Sequence, residues 1–184
     1  LAHGARKLKV DYVKREMQWY IKGDKYDHSI VPHAKQWAYC IDDEGIINSN
    51  YGQYLTSDSN NSVFGAYEEL QRDPTSRRAV VTILGRDEGH WYGVDQPCTT
   101  SVQFLIRNNK LITIVTMRSQ DLIWGAGNDV PTFMLYAKLM AAQLAVALAG
   151  LYFTVGSLHV YERYFVLLEK ILSGYDFKIL DEIP

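Results

Sequence analysis

The sequence predicts an α+β domain in which a largely antiparallel or mixed sheet packs against a long buried helix. Three observations lead there. β-rich runs gather in the middle of the chain, helical periodicities lie on both sides of them, and no strict strand–helix–strand rhythm connects the two kinds of segment.

From Asp11 to Lys22 apolar residues recur at helical spacing as Val13, Met17, Tyr20 and Ile21, and Gly23-Asp24 stops the run. Lys25 to Ser62, rich in Asn, Asp, Ser and Gly, reads as loops and short elements. Ala66 to Arg72 predicts a short helix closed by Asp73-Pro74, since proline pushes the residue before it out of the helical region. Arg78 to Leu84 (RAVVTIL) is a β-rich run. Ser101 to Ile106 and Leu111 to Met117 flank Asn108-Asn109, residues suited to a hairpin turn. A long helix is predicted over Thr132 to Ala149, with Phe133, Tyr136, Met140, Leu144 and Ala147 along one side. Asn128 or Asp129, ahead of Val130-Pro131, suits its N-cap. Thr154 to Val160 reads as a short strand and Glu162 to Leu172 as a final helix.

At 184 residues, without a linker or an internal repeat, the chain is expected to form one catalytic domain over 1–184. It opens on Leu-Ala-His-Gly with neither Met nor a signal pattern, so incomplete ends are expected. The most apolar stretch, Val130 to Leu151, is interrupted by Pro131, Lys138 and Gln143 and fits a core helix better than a membrane span. A net charge of −2 argues against wholesale binding of nucleic acid or anionic membrane, so a bound phosphate must be gripped by a local arginine cluster. Two cysteines, Cys40 and Cys98, cannot make a secreted disulfide framework, and no CxxC spacing predicts a metal site. Reduced thiols and a cytoplasmic location are expected.

Cys98 stands in Asp95-Gln-Pro-Cys-Thr-Thr, just ahead of a predicted strand. A lone cysteine is more often an inert buried thiol. Here Pro97 stiffens the approach, Thr99, Thr100 and Ser101 make the surroundings polar, and a neighbouring arginine would lower the thiol pKa. Arg77-Arg78 enter a strand together, where two guanidinium forks can reach one phosphate; a solvated basic pair explains them equally well. Arg118 and Ser119 suit a phosphate, Asp121 suits a base or backbone amide, and Gly125 and Gly127 allow close approach of a flat ligand. His159 and Tyr161 alternate along a strand and share a face, fit for hydrogen bonds to a sugar or to the core. Glu16, beside Trp19 in an otherwise apolar helix, is a candidate buried carboxylate with a raised pKa.

These pieces occur in this order in one family. The chain resembles thymidylate synthase and the related pyrimidine nucleotide hydroxymethylases from about Arg15 to Tyr161. The resemblance is carried by Glu16-Met-Gln-Trp-Tyr-Ile-Lys-Gly-Asp, Trp37 followed by Asn50-Tyr-Gly, Asp73-Pro-Thr-Ser-Arg-Arg, Pro97-Cys-Thr with Gln103-Phe, Arg118-Ser-Gln-Asp with Gly125, and His159-Val-Tyr. It implies that Cys98 adds to ring carbon C6 of a pyrimidine nucleoside monophosphate, and that Arg118 and Ser119 hold the 5′-phosphate. Arg77 and Arg78 would reach that phosphate from a partner subunit. Asp121 would support the base, His159 and Tyr161 the sugar, and Glu16 a proton network. Trp37, with Asp121 and Gly125, would line the site of 5,10-methylenetetrahydrofolate. It further implies a symmetric homodimer with sheets packed back to back. Thiolate addition at C6 turns C5 into a nucleophile that attacks the folate methylene; hydride then gives a methyl group, and water a hydroxymethyl group.

Counted without a gap from Arg118, Asp129 falls where thymidylate synthase carries a base-reading Asn. A carboxyl group accepts from the 4-amino group of cytosine and, if protonated, donates to N3, a choice worth roughly 1–3 kcal/mol. The expectation is C5 hydroxymethylation of a cytidylate, dCMP or CMP. A slip of one residue puts Asn128 in the reading position and returns the choice to uridylate. Departures from thymidylate synthase include Thr99 where His is usual, Cys40 in place of a second Trp, and Ser157 where Asp is frequent. An N-terminal arginine loop and an apolar C-terminal tail are not evident. Two alternatives stand beside this reading: a methylase or hydroxymethylase of deoxyuridylate, and a family fold that binds nucleotide without turnover.

Overall fold

Helix α1 (Val10–Lys22) turns Val13, Glu16, Trp19 and Tyr20 inward and ends at Gly23, whose φ of 66° lets its N–H reach the Trp19 carbonyl. The computed structural model describes residues 9–84 and 93–174. A six-residue 3-10 turn (Lys35–Cys40) and the short helix α2 (Gly52–Leu55) follow. A Cβ on Gly52 would lie 1.8 Å from the Tyr20 carbonyl oxygen, so only glycine lets α2 press against α1. That contact stacks the rings of Tyr20 and Tyr51 at 5.3 Å. Helix α3 (Val63–Arg72) is capped by the Ser62 hydroxyl, which accepts from the Gly65 N–H, and stops ahead of Asp73-Pro74 as expected.

The sheet has the order β1-β2-β3-β4: β1 (Val80–Thr82), β2 (Thr99–Arg107), β3 (Lys110–Asp121) and β4 (Ala147–His159). The first two pairings are antiparallel, whereas β3 and β4 run parallel. This is the mixed sheet of the predicted α+β class. Asn108 and Asn109 both have positive φ, 52° and 56°, the signature of a type I′ turn that matches strand twist. Helix α4 (Gly125–Gln143) makes the crossover from β3 to β4 and covers the inward face of the sheet, where Phe133, Met140 and Ala141 share one buried core with Val102, Phe104 and Val115. Helix α5 (Phe165–Leu172) follows a 3-10 turn at Glu162–Tyr164. No helix among the described residues is long and apolar enough to cross a membrane.

Several elements differ from the sequence reading. β1 keeps only Val80–Thr82 of the expected Arg78–Leu84 run. α4 begins seven residues before Thr132, because the Asp121 carboxylate accepts from the Ile123 and Trp124 amides and turns the chain into a helix at once. Asn128 and Asp129 therefore lie inside the helix rather than at its cap, and Gly125 and Gly127 are helical. α4 also ends early. Ala145 takes φ 53°, its N–H bonds the Ala142 carbonyl, and the Val146 N–H bonds that of Ala141, closing a Schellman motif. The predicted end of the helix, together with Gly150 to Phe153, joins β4, where the ladder to β3 overrides the helical preference of Ala and Leu.

Candidate active site

The C-terminal ends of β3 and β4 and the first turn of α4 frame a cleft of about 790 Å³. α1 contributes Glu16, the 3-10 turn Trp37, and the segment before β2 Cys98. β3 supplies Arg118, Ser119 and Asp121; α4 supplies Gly125, Asn128 and Asp129; His159 ends β4, with Tyr161 just beyond. The fold thus brings all of these sequence-predicted residues to one cavity. Tyr161 lies outside the strand, so it does not share a strand face with His159 as predicted. The two rings instead meet edge to face at 5.0 Å. Arg77 and Arg78 do not line this cleft; both are exposed, and Arg78 Nε donates to Glu69 Oε1 at 3.0 Å.

Cys98 is half-buried. A register shift between Thr99 and Ser101 kinks the start of β2 beside it. Arg118 grips the approach: its Nε donates to the Pro97 carbonyl at 3.0 Å, an Nη to that of Gln96 at 2.8 Å, and its backbone N–H to that of Cys98 at 2.8 Å. The expected arginine is therefore present, but the expected fall in pKa is not. Burial pushes the Cys98 thiol up, Arg118 pulls it down, and Asp129 and Asp95 push it further up, with a net rise. Desolvation outweighs one guanidinium that is already engaged with carbonyls, so the resting group is the thiol.

Two carboxyl groups dominate the interior. Glu16 is 4% exposed and accepts from the Tyr12 hydroxyl at 2.6 Å, which in turn accepts from Trp37 Nε1 at 2.9 Å. Burial pushes Glu16 up to about 8, opposed by the Tyr12 hydrogen bond and assisted by the charge of Asp129. Asp129, partly reachable from the cleft, is pushed up to about 7 by burial, with Gln120 Nε2 donating to its Oδ2 at 3.4 Å and Asp121 adding repulsion. Asp121 spends both oxygens on backbone amides, so it shapes the site by fixing the entry to α4.

Sequence reasoning missed Tyr12, Gln120 and Arg163 as cleft residues, and quoted Tyr51 only within a motif. Tyr12 had a signal, since it lies four residues from Glu16 on one helical face. Arg163 had none. Its guanidinium covers the Tyr161 and Tyr164 rings at 4.4 and 4.8 Å, an arrangement made by the turn after β4.

The model of the family described as thymidylate synthase matches residues 2–179. The deoxycytidylate 5-hydroxymethyltransferases of Enterobacteria phages T4 and T2 are each 30% identical over 175 residues, 88% of this chain and 71% of theirs. The deoxyuridylate hydroxymethyltransferase of Bacillus phage SP01 is 30% identical over 182 residues, 91% of this chain and 45% of its own. With that family match along nearly its whole length, the chain belongs to the thymidylate synthase family.

Proposed function

We propose that this chain hydroxymethylates carbon 5 of a cytidylate, dCMP or CMP, after Cys98 adds to C6. Membership of the family makes it a one-carbon transferase with 5,10-methylenetetrahydrofolate as donor. The residues present fit that donor: the cleft has the volume of a small-molecule site, Trp37 offers an aromatic wall, and Gly125 leaves room for a flat ring. When bound, the donor supplies the one-carbon unit. The hydroxymethyl product is supported by the names of the phage T4 and SP01 relatives.

The observation that carries the base choice is Asp129, a carboxyl group pushed up to about 7 on the cleft wall. Gln120 donates to Oδ2, which favours the proton on Oδ1. One oxygen then accepts from the 4-amino group of cytosine while the other donates to N3. Uracil reverses both groups. Once the Cys98 thiol has released its proton to solvent in the cleft and the sulfur adds at C6, the electron pair released at C5 delocalises toward N3, where the Asp129 proton stabilises it. Arg118 and Ser119 face the 5′-phosphate, His159 and Tyr161 the sugar, and Glu16 with Tyr12 holds an exchangeable proton in the cleft.

A homodimer belongs to the same proposal. Arg77 and Arg78 lie outside their own cleft and exposed, and would serve a partner's, Arg78 by exchanging its Glu69 partner for the phosphate. The outward face of the sheet, with Leu105, Ile112, Ile114 and the 55%-exposed Tyr152, is the surface such a partner would cover.

The deciding experiment is Asp129→Asn, with kcat/KM measured for dCMP and dUMP. Preference should move toward dUMP by roughly five- to a hundred-and-fifty-fold, the span of 1–3 kcal/mol. An unchanged ratio removes the base assignment, and product mass separates hydroxymethyl from methyl. Uridylate remains the second reading, favoured by Asn128 on the same cleft wall and by the deoxyuridylate named for the SP01 relative.

A further inference from the structure

We propose that Asp95 and Ser49 form a clamp that positions the Cys98 loop for attack, a role that rests on Cys98 being the nucleophile. Asp95 precedes Cys98 by three residues, and both it and Ser49 are 8% exposed. Asp95 Oδ2 accepts from the Ser49 backbone N–H at 2.7 Å, and Oδ1 accepts from the Ser49 hydroxyl at 2.6 Å. Both oxygens are thus spent on a single residue 46 positions away.

The loop is held from two sides. Arg118 takes the carbonyls of Gln96, Pro97 and Cys98, while Asp95 ties the start of the loop to the segment that runs from Ser49 to Tyr51. That segment is firm. Asn50, next to Ser49, is fully buried, donates to the Asp24 carbonyl at 3.1 Å and accepts from the Gly52 N–H at 3.1 Å. Tyr51, one residue further, lines the cleft together with Cys98. The clamp therefore ties the Cys98 loop to the segment that brings Tyr51 into the cleft. A tie needed only for folding is made more cheaply by neutral groups, because a buried carboxylate without an ion-pair partner among the described residues carries a desolvation cost. Near-attack placement of a nucleophile is a use that repays such a cost, since a displacement of about 1 Å loses on the order of a hundred-fold in rate. The charged and titratable groups around Asp95 are Arg118, Asp42, Cys40 and Cys98; burial pushes both thiols up, and the negative charge of Asp95 adds a smaller push to each.

The test uses the full chain with Ser49→Ala, Asp95→Ala and Asp95→Asn. Turnover is measured with dCMP and dUMP both offered, so an error in the base reading does not register as failure of the clamp. Nucleotide affinity is measured by calorimetry, and iodoacetamide labelling of the Cys98 peptide is followed against pH. Asp95→Ala should lower kcat by on the order of ten- to a hundred-fold with nucleotide affinity nearly unchanged, and Ser49→Ala by less, since the backbone bond survives. Asp95→Asn keeps an acceptor for the Ser49 N–H; it should retain most of kcat while its labelling midpoint moves to lower pH. Wild-type kcat in Ser49→Ala, whether or not Asp95→Ala folds, overturns the clamp. So does a loss in Asp95→Asn as large as in Asp95→Ala, because charge rather than placement would then be at work. Turnover surviving Cys98→Ser would instead sink the nucleophile assignment beneath it.

Discussion

Glu16 and Asp129 hold protons that ordinary carboxyl groups have already lost at neutral pH, pushed up to about 8 and about 7. Between an ordinary carboxylate pKa near 4 and these values the folded chain binds more protons than the unfolded chain, so stability falls as pH rises. The contribution is present in full below about pH 4 and is lost as pH climbs through the two folded values. Thermal melting from pH 5 to 9 should show Tm falling across this window, and Glu16→Gln should flatten part of the slope. An equally steep slope in the Gln variant would contradict the burial argument. Activity follows the same proton at Asp129. kcat/KM for cytidylate should decline above about pH 7, and that limb should disappear in Asp129→Asn.

At the scale of elements, the exit of α4 matters most, because it turns an apolar segment from helix into strand and delivers His159 to the cleft. The turn is made by Ala145 at φ 53°, a conformation in which a Cβ costs roughly 1–2 kcal/mol. Ala145→Gly should raise stability by roughly 0.5–1 kcal/mol after the larger entropy of the unfolded glycine is counted, read as a shift in urea midpoint. A lower midpoint would show that the Schellman geometry does not limit the helix end. The contrast with the Asn108-Asn109 hairpin is instructive. There the two residues that tolerate positive φ announced the turn, whereas an alanine in the same region of conformational space announced nothing.

For the whole molecule, the outward face of the sheet and the exposed arginine pair make one joint prediction. If Arg77 and Arg78 serve the partner's phosphate, a chain carrying Arg78→Ala and a chain carrying Cys98→Ser should each be inactive alone yet complement when mixed and reassociated. Half of the dimers are then mixed and each has one intact site, so about a quarter of wild-type activity should return. No recovery would place the arginines elsewhere. Ile114→Asp, in the middle of the outward face, should yield monomers by sedimentation and lose turnover with them.

The sequence alone determined the class of fold, the family and eleven of the residues that line the cleft, because these depend on local periodicity and on short motifs whose chemistry is tied to residue type. Both ends of α4 and the start of β4 were not legible, since a side chain of β3 and a ladder to β3 set them. The raised pKa of Glu16 was expected from its place in an apolar helix, but tertiary structure decided the protonation of Cys98 and Asp129. Whether Cys98 rests as thiol or thiolate, and whether Asp129 carries a proton, depends on how far burial outweighs nearby charge. Burial is a property of the packed chain that no single stretch of sequence contains.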